Sequence, residues 1–176
     1  MKVLILSSRT GSDAIYLYKK LPNIDFIFAS NNIDSPLISF SKKNNIPIFL
    51  LSQKPTLKEY ENLFEKNSPD IVLLTGYLRI IPEKICKNYN IYNLHPANIL
   101  LYPHLKGFNP QKRALEEKLK TTGNTIHKVT EEVDCGTIIK TSIVPIYKND
   151  DLETLCVRLG NNAKELWREF LKEIEE

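Results

Sequence analysis

"MKVLILSSRTGSDAIYLYKK", residues 1–20, sets out a strand, a turn and a helix in succession. Its residues 2–7, "KVLILS", are a short and almost continuously apolar run, the mark of a strand buried on both faces. The polar "SRTG" that follows reads as a turn, and Ile15, Leu17 and Tyr18 then recur as the apolar positions of a helix. Working outward, "DFIFAS" (25–30) and "IPIFLL" (46–51) are further buried-strand candidates, separated by a helical stretch over 35–44. A second helical pattern, "TLKEYENLFEK" (56–66), precedes "DIVLLTG" (70–76), and "NIYNL" (90–94) reads as the next strand. Between them Pro82 suits the first turn of a short helix, where its missing N–H costs nothing. Strands alternating with helices predict an α/β fold, Rossmann-like, with a mostly parallel central sheet and helices on both faces.

The second half has a different pattern. Residues 106–120 read as a charged, largely helical segment whose start is blurred by Gly107 and Pro110. After Gly123, "TIHKVTEEVD" and "GTIIKTSIVPI" are two strand-like runs joined by a turn near Asp134–Gly136. The last stretch reads as a long amphipathic helix opened by the acidic Asp150–Asp151, with Gly160–Asn162 placed to interrupt it. No repeat, low-complexity tract or linker is visible, so residues 1–176 are expected to form one domain.

A net charge of +3 over 24 basic and 21 acidic residues is too mild to point to nucleic acid or a membrane surface. Cys86, Cys135 and Cys156 are odd in number and widely spaced, which argues against a disulfide framework and a zinc site. His95, His104 and His127 lack metal-ligand spacing, so no metal is expected. The apolar core of the N-terminus is too short for a signal peptide, and no run approaches the roughly 18 residues of a membrane helix. The expected location is cytoplasmic.

The chemistry concentrates in "NLHP", 93–96. Asn93 and His95 project to one side of a strand while Leu94 projects to the other, and Pro96 ends the pairing. Ligands of open α/β sheets sit beyond the carboxyl ends of strands. An amide donor and an imidazole placed there can hold a developing oxyanion and manage a proton. A turn-making Asn93 and a His95 filling a polar niche would give the same pattern. Asp134, in "TEEVDCG", is either a plain turn residue or a carboxylate that keeps His95 charged.

"NLHPANILLYPHLKG" (93–107) and "GNTIHKVTEEVDCGTII" (123–139), together with "TGYLRIIP" (75–82) and the GS turn after the first strand, resemble the folate-dependent formyltransferases, most closely the branch acting on glycinamide ribonucleotide. Asn, His and Asp in this order, with about forty residues between the last two, match the family signature, and the resemblance covers most of the chain. It implies formyl transfer from N10 of 10-formyltetrahydrofolate to a primary amine on a small, phosphorylated molecule, with glycinamide ribonucleotide in purine biosynthesis the leading acceptor. It further implies that Asn93 and protonated His95 stabilise the oxyanion and that Asp134 keeps His95 charged and helps pass a proton to N10. The folate pocket would take Arg79, Ile80 and Ile81, with Ile81 against the pterin, together with Asn93 and the loop Thr130, Glu131, Glu132, Val133 and Asp134. The acceptor would meet Gly11, Ser12, Asp13 and Lys106.

The chain departs from the family pattern around the acceptor. An earlier glycine of the phosphate turn is missing, Asp13 replaces a usual asparagine, and Ala163 stands where a glutamate is common. The segment between Tyr102 and Ala114 reads as longer than the family's histidine-containing version. Lys106, Lys112 and Arg113 form a small basic cluster there, read as a solvated face or as a contact for a phosphorylated acceptor. His127 is assigned a structural hydrogen-bonding role. Two rivals are a sugar N-formyltransferase acting on a nucleotide-linked amino sugar and a catalytically silent folate- or nucleotide-binding module. Methionyl-tRNA formylation is disfavoured by the lack of room for the extra C-terminal domain and of a strong basic surface signal.

Overall fold

A computed structural model describes residues 1–175. The chain runs β1 (Lys2–Ser7), α1 (Ser12–Lys20), β2 (Asp25–Ser30), α2 (Pro36–Lys43), β3 (Ile48–Leu50), α3 (Leu57–Asn67), β4 (Ile71–Leu74), α4 (Glu83–Asn88) and β5 (Ile91–His95). It continues through a single 3-10 turn (Pro103–Leu105), α5 (Pro110–Glu116), β6 (Thr121–Thr122), β7 (Thr125–Lys128), β8 (Ile138–Thr141), β9 (Val144–Pro145) and α6 (Leu152–Glu175). Two compact units result, one of Met1–Asn93 with Val129–Glu131, the other of Leu94–Lys128 with the residues from Glu132 on.

The first unit is the parallel α/β part that the alternation predicts. Its strands pair in the order β3-β2-β1-β4-β5, all parallel, with Val3 beside Phe26 and Ile71, and Leu74 beside Asn93. Every residue of β4 and five of the six in β1 are buried, because helices cover both faces. On one face Leu4, Leu6, Ile27, Ala29, Val72, Leu74 and Ile91 pack with Tyr60, Leu63 and Phe64 of α3 and Ile85 of α4. On the other, Tyr18 of α1 meets the edges of Phe26 and Phe40. Helix α3 begins with a reciprocal cap in which the Thr56 hydroxyl accepts from the Glu59 amide while the Glu59 carboxylate accepts from the Thr56 amide.

"IPIFLL" is a correction: β3 spans only Ile48–Leu50 and is half-exposed, because it lies at the edge of the order and has one neighbour. Pro82 caps α4 from just outside it rather than lying within its first turn.

In the second unit β7 pairs antiparallel with β8, and β6 with β9. The register slips between Ile126↔Lys140 and His127↔Ile138, so Ile139 bulges out of the ladder. The helix expected over 106–120 is only the seven residues of α5. Gly107 at φ 81° and Asn109 at φ 49° break the chain just before Pro110 can start it. Conversely, α6 runs 24 residues without a break at Gly160. Leu155, Leu159, Ala163, Leu166, Trp167 and Phe170 repeat along one buried stripe, and a single glycine costs about 1 kcal/mol against that burial.

Gly11 holds the turn between β1 and α1. Its φ is 70°, and a Cβ there would lie 2.6 Å from Leu37 Cβ in α2. Gly11→Ala therefore combines left-handed strain of about 1–2 kcal/mol with a side-chain clash. Urea unfolding is expected to lose at least that much stability; an unchanged midpoint would mean that the turn adapts freely.

Candidate active site

β5 ends at His95 because Pro96 cannot continue the ladder, and the chain folds back at once, with the Ala97 amide donating to the His95 carbonyl at 2.9 Å. The strand ending read from "NLHP" is borne out. β7 supplies the next layer of support. Its buried Thr125 hydroxyl donates to the Ala97 carbonyl at 2.7 Å and accepts from the Ile99 amide at 3.1 Å, stitching the turn after His95 in place.

The loop after β7 returns Asp134 to this point. Asp134 takes a left-handed φ of 55°, which aspartate tolerates better than most side chains. Its carboxylate is buried, with Oδ2 3.0 Å from His95 Nδ1 and Oδ1 3.3 Å from His127 Nε2. Oδ2 also accepts the Gly107 amide at 3.1 Å. Burial raises the Asp134 carboxyl, but donation from His127, then from His95 with its charge, and from the Gly107 amide outweighs it, leaving the carboxyl far below the usual range.

The other nitrogen of His95, Nε2, lies 2.9 Å from the Leu105 carbonyl. Both ring nitrogens thus face acceptors, and only the doubly protonated ring can donate to both. His127 has a similar arrangement, with Nδ1 3.1 Å from the Lys128 carbonyl and Nε2 facing Asp134. The cluster is one carboxylate clamped between two imidazoles. It places an imidazole at the end of a strand with both of its ring nitrogens facing acceptors.

The remaining expected residues fall in several places. Asn93 stands two residues before His95 on the same strand, beside Leu74 of β4. In "YLRII", Ile81 is buried in the core of the first unit, while Ile80 is 72% exposed and offers apolar surface. The Arg79 guanidinium folds back on backbone, with Nε donating to the Gln53 carbonyl at 2.7 Å. Arg79 also borders a hollow of about 500 Å³ at the ends of β1, β2 and β3, with Ser8, Asn31, Leu50 and Gln53. Thr130, Glu131, Glu132 and Val133 are exposed. Gly11 precedes α1, the Ser12 hydroxyl donates to the Asp13 carboxylate at 3.3 Å, and Asp13 lies in the first helical turn. Lys106 Nζ lies 3.8 Å from Cys135 Sγ.

His127 has the hydrogen-bonding role expected of it, and the structure supplies a partner the sequence did not name, the Asp134 carboxylate, beside the Lys128 carbonyl. Arg113 does not join a solvated basic cluster, for its guanidinium turns back to the main chain, donating to the carbonyls of His104 at 2.8 Å and Lys106 at 2.6 Å. Among the described residues no group of three or more His, Cys, Asp or Glu side chains is placed to hold a metal, and no helix is long and apolar enough to cross a membrane.

Residues 1–171 match the family model described as formyl transferase. The human trifunctional purine biosynthetic protein adenosine-3 is 32% identical over 172 residues, covering 90% of this chain and 17% of that protein. The chloroplastic phosphoribosylglycinamide formyltransferase of Arabidopsis thaliana is 30% identical over 156 residues, covering 82% of this chain and 53% of that one. The chain therefore spans about half or less of the length of these curated relatives. Among solved structures, the phosphoribosylglycinamide formyltransferase of Anaplasma phagocytophilum superposes with a TM-score of 0.89 at 29% identity, over 99% of this chain and 86% of that chain.

A carboxyl depressed by folding stabilises the protein fully above its unfolded value, about 3.9, and that contribution fades as pH falls towards the folded value. Wild-type stability is accordingly expected to drop below about pH 4 more steeply than that of Asp134→Asn. Urea unfolding between acidic and neutral pH measures this, and parallel acid limbs would show that the carboxylate does not contribute as its contacts require.

Proposed function

The chain belongs to the formyl transferase family, and we propose that its 176 residues act as one domain transferring a formyl group from 10-formyltetrahydrofolate to glycinamide ribonucleotide in de novo purine biosynthesis. The observation that carries this reading is the buried contact of 3.0 Å between Asp134 and His95 at the end of β5.

The acceptor amine attacks the formyl carbon, a C–N bond forms, and the carbonyl electrons move onto oxygen. The His95 imidazolium and the Asn93 amide stabilise that oxyanion. Collapse of the intermediate breaks the bond from carbon to N10, and the proton shed by the amine is transferred to N10. A carboxyl held as low as that of Asp134 is a weak base, so its part is to keep His95 charged and aimed. The folate donor takes Arg79, Ile80, Ile81, Asn93 and the Thr130–Asp134 loop. The acceptor's phosphate takes the turn at Gly11, Ser12 and Asp13, with Lys106 as its cation. The expected location is cytoplasmic.

Asp13 favours a second reading of the acceptor. A carboxylate in the first turn of α1 opposes the phosphate that a helix N-terminus would otherwise attract. A nucleotide-linked amino sugar, whose phosphates stand at a different spacing from the reacting amine, is the alternative acceptor.

Purified protein with 10-formyltetrahydrofolate and glycinamide ribonucleotide is expected to release deformylated folate, followed by absorbance. Release only with an amino sugar nucleotide would replace the acceptor, and the absence of release with any amine would leave a binding module. In an active wild type, Asp134→Asn is expected to lower kcat by about a hundredfold or more while donor affinity changes little. Equal losses in both would reduce Asp134 to a pocket-shaping residue.

A further inference from the structure

We propose that Arg113 is a positioning residue for the His95–Asp134 couple, acting through the backbone of residues 104–107. The inference rests on the catalytic reading above for its kinetic consequence, though its structural part stands independently. The imidazole and the carboxylate are each held by one main-chain group of this segment. The Leu105 carbonyl faces His95 Nε2 at 2.9 Å, and the Gly107 amide donates to Asp134 Oδ2 at 3.1 Å. Two backbone groups two residues apart therefore set the orientation of ring and carboxylate together.

Such groups aim only as firmly as the segment that carries them. This one belongs to no sheet and to no full helix. It passes from the 3-10 turn, closed by the Leu105 amide to the Tyr102 carbonyl at 3.0 Å, into Gly107 at φ 81°. A Cβ on Gly107 would meet nothing within 4 Å, so side-chain packing does not fix the chain there. The Leu105 side chain anchors one point, buried with Ala97, Ile99 and Ala114.

Arg113 supplies the rest. One terminal nitrogen donates to the His104 carbonyl at 2.8 Å and the other to the Lys106 carbonyl at 2.6 Å. These are the two carbonyls on either side of that of Leu105. Gripping both leaves the middle carbonyl directed at His95 and delivers Gly107 to Asp134. A planar guanidinium presents its donors in a rigid fork, which suits two acceptors at a fixed spacing; an ammonium is a single point of attachment. The Arg113 Nε is buried with no partner, and among the described residues no carboxylate pairs with this cation. Its hydrogen bonds go to the segment that aims the catalytic groups, not to a surface ion pair.

The test uses Arg113→Met, which keeps the apolar stem, and Arg113→Lys, which keeps the charge. The chain has three histidines, so selective ¹⁵N-histidine labelling yields three ring systems to assign. In Arg113→Met the His95 Nε2–H signal is expected to broaden or disappear while the folded far-UV spectrum is retained. The kcat for formyl transfer is expected to fall by about tenfold to a hundredfold, with both KM values within about threefold of wild type. Arg113→Lys is expected to fall between Met and wild type in both readouts. Wild-type His95 signals in a folded Met variant would overturn the proposal, as would a loss of kcat with those signals unchanged. If the Met variant does not fold, a Lys variant matching wild type in both readouts overturns it equally. A wild type that transfers no formyl group defeats the functional reading instead, and the ring signals still decide the structural one.

Discussion

A carboxylate buried between two imidazoles and a backbone amide is the contact on which the candidate site of the second unit depends. An isolated charge at Asp134 would be costly to bury, and removing one partner of a buried ion pair typically costs about 3–5 kcal/mol. The site meets that cost with three donors on two oxygens. The consequence passes to His95, whose other nitrogen also faces an acceptor.

The surrounding chain is arranged to make that contact rigid. Pro96 stops β5 so that His95 lies at its end, and Thr125 ties the following turn to β7. The register slip opposite His127 locally re-aims the β7–β8 ladder beside the residue that shares Asp134. Asp134 itself takes a left-handed conformation, a cost of the kind that concentrates at functional positions. Regular structure places the histidines. Irregular structure, held by hydrogen bonds to main chain, completes the cluster.

The parallel first unit solves a different problem. Its strands are covered on both faces, so helices follow strands and the carboxyl ends collect the loops at Ser8–Gly11, Asn31–Asp34 and Tyr77–Ile81. Those ends carry polar side chains bound to neighbouring loops, such as the Ser8 hydroxyl, which donates to Asn31 and accepts the Leu78 amide. Loop positions are thus set by hydrogen bonds, while burial sets the strands.

The sequence by itself determined the features that depend on local periodicity. β1 and β2 fall on the expected residues, and α2, α3, β4 and β5 lie within one or two residues of their expected bounds, because apolar runs and helical spacing encode burial directly. Asn93 and His95 at a strand end were equally legible, since alternation and a following proline suffice. Tertiary structure alone decided the exposure of β3, which depends on how many neighbours a strand has, and the continuity of α6, where packing outweighs one glycine. It also decided that His127 meets Asp134 and that Arg113 turns inward to two carbonyls. Main-chain carbonyls and amides are the same at every position, so no residue code announces which of them will hold a buried imidazole or carboxylate. That selection waits until distant segments have folded together.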